Sequence, residues 1–158
     1  MRALDIYIET SVFNFCFSDQ DEEKKKDSLR LLEEIRSGKY KPYVSASVLE
    51  ELSRASDPKK GKMISLIAEY DMQLLPVNPE AERLADVYVT EGIIPEKYRA
   101  DGVHIALTAV NGLDFIVSYN FTHIVKRKTI EMTEIVNFRE GYKRVGIYSP
   151  TEVVEYDE

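Results

Sequence analysis

The sequence has one cysteine, two histidines and no tryptophan in 158 residues. A lone thiol, Cys16, closes no internal disulfide, so a disulfide-stapled extracellular scaffold is excluded and a reducing cytoplasm is the expected compartment. So few His and Cys also fall short of a structural zinc site. Glycine and proline are sparse, at seven and six, and are spread singly, so neither a collagen-like repeat nor a flexible linker divides the chain. Long apolar runs are missing as well. No window approaches the ~20 residues that span a bilayer, and Met1-Arg2-Ala3-Leu4-Asp5 carries charge where a signal peptide would need an apolar stretch, so no membrane association is expected. Positive charge is the minority sign, with 21 Lys plus Arg against 28 Asp plus Glu and a net charge of −7. That balance argues against a general phosphate-backbone binder with a basic surface.

What is present is a globular composition, 44% hydrophobic, in a length that predicts one domain over residues 1–158. Leu4–Ile8 reads as a strand, followed by the helix-start residues Thr10-Ser11. Residues 21–36 read as a helix with an acidic first turn and Gly38 just past its end. Further strands are expected at 43–45, 73–77, 115–117 and 145–148, and helices at 48–56, 58–70, 79–92 and 101–110. Strands alternating with helices through short loops predict a parallel α/β sheet covered on both faces, a three-layer α/β/α sandwich. Sheets of this kind bind ligands outside the carboxyl ends of their strands.

The first strand runs into Glu9-Thr10-Ser11 with no glycine after it, so the dinucleotide fingerprint and the phosphate-cradling P-loop are both absent. In the helix after the second strand, Ser47 and Glu50 form a capping-box pattern, whereas Glu51 shares the apolar stripe of Val48, Leu52 and Ala55. A carboxylate on that side must meet a cation, a hydrogen-bond network or a metal. Asp101 opens the next apolar helix as a capping-type residue. His104, on the same side, reads first as a hydrogen-bonded core residue, with proton carrier or ligand as the alternative. Asn120 lies at the end of the fourth strand, where a turn residue is ordinary. Together, Glu9, Glu51, Asp101 and Asn120 all fall on the carboxyl edge. Three converging carboxylates call for a hard divalent cation, and oxygen-only donors select Mg²⁺ or Mn²⁺ over Zn²⁺.

Four stretches carry a resemblance: Ile6-Tyr7-Ile8-Glu9-Thr10-Ser11, residues 44–52 around Glu51, Asp101-Gly102-Val103-His104-Ile105-Ala106, and Ile116-Val117-Ser118-Tyr119-Asn120-Phe121. In order and spacing they resemble the four motifs of PIN domains, a family that includes the metal-dependent VapC-type ribonuclease toxins of toxin–antitoxin modules. The resemblance implies a PIN-like fold and a Mg²⁺- or Mn²⁺-dependent endoribonuclease acting on single-stranded RNA. By position, Glu9 takes the place of the first motif's aspartate, Glu51 the glutamate of the second and Asp101 the aspartate of the third. These are the implied metal ligands, and with Asn120 the implied catalytic set. Thr10, Ser11 and Ser118 match the hydroxyl residues that flank the cluster. Ser118-Tyr119-Asn120-Phe121 resembles a subgroup with an aromatic-Asn-Phe sequence where many members have a fourth acid. A homodimer and a small antitoxin partner are also implied.

Two departures open an alternative. Glu9 is one methylene longer than aspartate, and Asn120 leaves the cluster one charge short of a four-acid site. A PIN-fold module that binds RNA or a protein partner without cutting is the second reading. A phosphoacceptor domain is disfavoured, because Asn78-Pro79 and Ser149-Pro150 stand where it needs an aspartate and a lysine. Lys126, Arg127 and Lys128 follow the fourth strand and read either as a solvated face or as a guide for a phosphate backbone. Phe13, Phe15 and Phe17 read as core or dimer surface rather than as a base-stacking platform.

Overall fold

In the computed structural model, which describes residues 2–157, the strands are β1 (Leu4–Ile8), β2 (Tyr40–Ser45), β3 (Gln73–Leu75), β4 (Phe115–Val117) and β5 (Gly146–Tyr148). They form one parallel sheet in the order β3-β2-β1-β4-β5. β1 is central, with Tyr7 in register with Tyr43 on one side and Ile116 on the other. Ile6, Tyr7, Ile8, Ile116 and Val117 are each at most 1% exposed, as expected of parallel strands covered on both faces.

The helices are α1 (Thr10–Cys16), α2 (Glu22–Arg36), α3 (Ala46–Leu52), α4 (Lys59–Glu69), α5 (Pro79–Thr90), α6 (Arg99–Val110), α7 (Arg127–Arg139) and α8 (Pro150–Val153), with a 3-10 turn at Glu96–Tyr98. The chain steps from β1 to β2 to β3 in one direction and then crosses back to β4 on the far side of β1. Right-handed crossovers therefore place α1–α4 and α5–α7 on opposite faces. Packing follows this division: α1 lies on α2, while α5 lies on both α6 and α7, and the terminal α8, which belongs to no crossover, returns to α2. The result is the PIN-like three-layer arrangement.

Local chemistry sets the helix ends. Asp21 accepts the Lys24 N–H at 3.0 Å, with Glu22 and Glu23 in the first turn of α2. Asn78 accepts the Ala81 N–H at 2.8 Å, with Pro79 opening α5. The predicted capping box at Ser47 and Glu50 is overturned. α3 begins two residues earlier, at Ala46, and its cap is Ser45, whose Oγ accepts the Val48 N–H at 3.3 Å. Glu50 is exposed and pairs with Arg54 at 3.1 Å. A true capping box stands at Ser149 and Glu152, opening the unexpected α8. α6 starts at Arg99, so Asp101 lies inside its first turn instead of capping it.

β2 is longer than its pattern predicts because Lys41-Pro42 breaks the apolar alternation. Pro42 faces Ile6 of β1, before pairing with β3 begins at Tyr43, so its missing N–H falls where β2 is locally an edge. α7 is absent from the sequence reading for a different reason, since its polarity is inverted. Thr129, Thr133 and Asn137 are buried, whereas Ile135 and Phe138 are exposed. The Thr129 hydroxyl donates to the His123 carbonyl at 2.8 Å, and Asn137 accepts from Tyr88.

At the amino edge of the sheet, Asp114 ties three segments together. Arg2 donates to both of its oxygens at 3.2 Å, the Asp5 N–H at 2.7 Å and Lys143 at 3.2 Å. Burial alone would raise this carboxyl, but the donors outweigh it and hold it at about 2. Its folded pKa lies below the unfolded value of about 3.9, so its contribution is present above that value and is lost as pH falls through about 2. Asp114→Asn is therefore expected to lower the urea midpoint at pH 7. The variant should also lose less stability than the parent between about pH 4 and about pH 2.

Candidate metal centre

The carboxyl edge is organised by a buried chain of hydrogen bonds that begins on backbone and ends on a carboxylate. Val48 N–H donates to Ser45 Oγ, which lies 2.7 Å from the Tyr7 hydroxyl. That hydroxyl is 2.6 Å from Nδ1 of His104, and Nε2 of His104 is 2.8 Å from Oε1 of Glu51. Thr10 also donates its hydroxyl to Glu51 Oε1. One direction of donation satisfies every member: Ser45 to Tyr7, Tyr7 to Nδ1, and Nε2–H to the carboxylate. Tyr7, Ser45 and His104 are all fully buried, so each must find its partners inside the protein.

Glu9 is tethered separately. Its Oε1 accepts from Ser11 and from Ser118, both at 2.6 Å. The Ser11 hydroxyl in turn accepts the Tyr119 N–H at 2.8 Å, and the Ser118 hydroxyl accepts the Asn120 N–H at 2.9 Å. These contacts lock the loop after β4 onto the turn after β1. Asn120 Oδ1 accepts the His123 N–H at 2.9 Å, and the Asn120 amide lies beside Asp101.

The charges shift one another's titration. Burial would raise the Glu51 carboxyl, but hydrogen bonds from His104 and Thr10, with the imidazole's charge, bring it below the ordinary range. Burial would push the His104 imidazole down, yet Glu51, aided by Glu9 and Asp101, carries it above its usual value. Asp101 moves the other way. Burial raises it, the Glu9 charge adds to the rise, and the Asn120 amide only partly opposes it.

The donor set suits a hard cation. Glu9, Glu51 and His104 each bring a ligand-type atom within 4.8 Å of one another. Both nitrogens of His104 are already engaged, by Tyr7 and Glu51, so the remaining donors are oxygens. Glu9 and Glu51 each use Oε1 for internal hydrogen bonds, and every buried side-chain polar atom among the described residues has a partner. The second oxygen of each carboxylate is therefore open to solvent. The adjoining cleft, of about 410 Å³, is lined by Glu9, Thr10, Ser11, Asn14, Glu51, Arg54 and Asn120. Oxygen donors of this kind match Mg²⁺ or Mn²⁺ better than Zn²⁺.

The four residues singled out in sequence are thus brought to one edge, though not equally. Glu9, Glu51 and Asn120 line the cleft, whereas Asp101 is half-buried beside Asn120 and outside the tight group with Glu9 and Glu51. Thr10, Ser11 and Ser118 all hold carboxylates. Lys126, Arg127 and Lys128 are exposed at the start of α7, where Arg127 pairs with Glu131 at 3.2 Å. Phe13 is core, and Phe15 and Phe17 pack partly buried against it. Sequence reasoning missed Tyr7 and Ser45. The signal was a tyrosine in a strand otherwise buried on both faces, because a buried phenol requires a partner.

The sequence matches no family model and no curated protein. Solved structures do share the fold. VapC20 of Mycobacterium tuberculosis, a toxin that cleaves the sarcin–ricin loop, superposes with a TM-score of 0.59 at 14% identity, over 89% of this chain and 98% of that one. A chain of VapBC2 from Rickettsia felis, solved bound to a DNA fragment from its promoter, superposes with a TM-score of 0.56 at 10% identity, over 92% of this chain and 100% of that one. At such identities the likeness is one of fold, and it agrees with the PIN-like architecture.

Removing the Tyr7 hydroxyl tests the buried chain directly. Tyr7→Phe keeps the ring but leaves Ser45 and Nδ1 of His104 short of a partner, and is expected to cost about 1–3 kcal/mol in urea unfolding.

Proposed function

We propose that this protein is a Mg²⁺- or Mn²⁺-dependent endoribonuclease that cleaves single-stranded RNA at the carboxyl edge of its sheet. The observation that carries the reading is the pairing of Glu9 and Glu51. Each is anchored through one oxygen and open through the other, within a tight group at the floor of a cleft. Water alone does not require such anchoring, and unshielded carboxylates held this close repel one another.

In this reading Glu9, Glu51 and Asp101 hold the cation, which when bound supplies Lewis-acid stabilisation of the phosphodiester's charge and eases deprotonation of water. The chain's own residues do the rest. Thr10 and His104 fix the Glu51 carboxylate, Ser11 and Ser118 fix that of Glu9, and Asn120 adds an amide without adding charge. Asp101 or Glu51 would orient the attacking water. The longer side chain of Glu9 is held in place by its two hydroxyl anchors, Ser11 and Ser118, on Oε1.

The fold likeness to VapC20 and to VapBC2 supports a toxin–antitoxin setting with a small protein partner. We extend the same reading to a homodimer and to a cytoplasmic protein. No helix among the described residues is long and apolar enough to cross a membrane.

Incubation of purified protein with single-stranded RNA and Mn²⁺ is expected to give cleavage, and Asp101→Asn to lower its rate by about 10²-fold or more. Equal rates for both proteins would reject the assignment. Cleavage by neither protein, together with no heat on calorimetric Mn²⁺ titration, would favour the non-cutting module instead. Lys126→Ala with Lys128→Ala is expected to weaken RNA binding and to reduce the slope of log affinity against log salt by about one unit or more.

A further inference from the structure

Exposed aromatic rings are unevenly distributed. Two of them, Phe121 and Tyr98, are 49% and 42% exposed and border the carboxyl edge. Phe121 follows Asn120 directly. Its ring meets that of Tyr119 edge-on, with centroids 6.5 Å apart, and the Lys24 ammonium lies 5.6 Å from its centre. Tyr119 is in turn tied through the Ser11 hydroxyl to Glu9. Tyr98 precedes the helix that carries Asp101. It is stacked on His123 at 4.2 Å with 27° between planes, and the His123 N–H is bonded to Asn120.

Each ring is about half exposed with a second ring against it, and the backbone N–H of each neighbouring ring residue is hydrogen-bonded to a residue that lines the acidic cleft. Phe121 leans toward α1 and α2, through Lys24 and Tyr119, whose hydroxyl lies 3.0 Å from that of Ser28 in α2. Tyr98 belongs to the start of α6, on the opposite layer. Ile135 and Phe138 of α7 are more exposed still, at 65% and 84%, but no ring stacks on Phe138 among the described residues.

The geometry points to Phe121 and Tyr98 as two base-stacking steps that receive unpaired nucleobases on either side of the scissile phosphate, with Lys24 meeting the backbone beside Phe121. The inference rests on the nuclease reading and sharpens it. A braced, half-exposed ring offers a π-face to any base, whereas a duplex hides its bases within its own stack. The occupant is then a single strand, chosen by the accessibility of its bases more than by their identity.

The test uses the full chain and fluorescence anisotropy in Ca²⁺, with a labelled single-stranded RNA and an abasic strand of equal length and charge. The parent protein is expected to prefer the base-bearing strand. Phe121→Ala and Tyr98→Ala are each expected to weaken binding to it by at least about fivefold. Abasic binding, Mn²⁺ titration and the urea midpoint should all stay unchanged. Variants that bind the RNA like the parent would overturn the inference and assign the rings to a protein partner, and cleavage by the parent in Mn²⁺ would show that the nuclease reading survives. A parent that neither binds nor cleaves RNA would remove both.

Discussion

Carboxylates do not sit easily at the edge of a parallel sheet, where helix termini, strand ends and apolar core meet within a few ångströms. Glu51 occupies such a position on the inner side of α3 because an imidazole and a hydroxyl are directed at a single one of its oxygens. The imidazole is itself fixed by Tyr7, and Tyr7 by the serine that caps α3. That chain joins β1, β2, α3 and α6. This buried chain and the placement of Glu51 are therefore one construction, and the phenol of β1 is its hub.

The same logic separates what could be read in the sequence from what could not. The inward placement of Glu51 was legible, because a glutamate inside a stripe of Val48 and Leu52 violates helix patterning and demands a partner. The alternation of strands and helices was legible for the same kind of reason: apolar runs such as Phe115-Ile116-Val117 have few alternatives. Asp101 was read as the start of its helix, two residues late, since an aspartate before an apolar helix is indistinguishable from a cap until Arg99 and Ala100 are seen to be helical. α7 was hidden because Val136 shares its buried face with Thr129, Thr133 and Asn137, which satisfy their polar groups locally or against Tyr88. Hydrophobic periodicity cannot detect a helix that turns its threonines inward. The identity of Glu51's partners was hidden too, because they come from residues 7 and 104, and no spacing rule links positions so far apart.

Charge acquires a local meaning in this arrangement. A net charge of −7 argues against a protein that coats itself in nucleic acid, but part of that acidity is concentrated at one edge where a divalent cation would invert the field. Around it lie a lysine among aromatic rings and the cations that open α7. An acidic chain is thereby compatible with a polyanionic substrate, provided that contact is confined to this edge and is weak elsewhere.

The strand order has a consequence for how the protein comes into being. β1 is synthesised first, yet it lies between β2 and β4, so one of its edges stays bare until about three quarters of the 158 residues have been made. Ser118, which fixes Glu9, arrives at the same moment. An unfinished chain on the ribosome consequently has its first carboxylate without one of its two anchors and its central strand half-paired. The carboxyl edge is complete only when β4 joins β1, so the order of synthesis sets when its carboxylates are brought together.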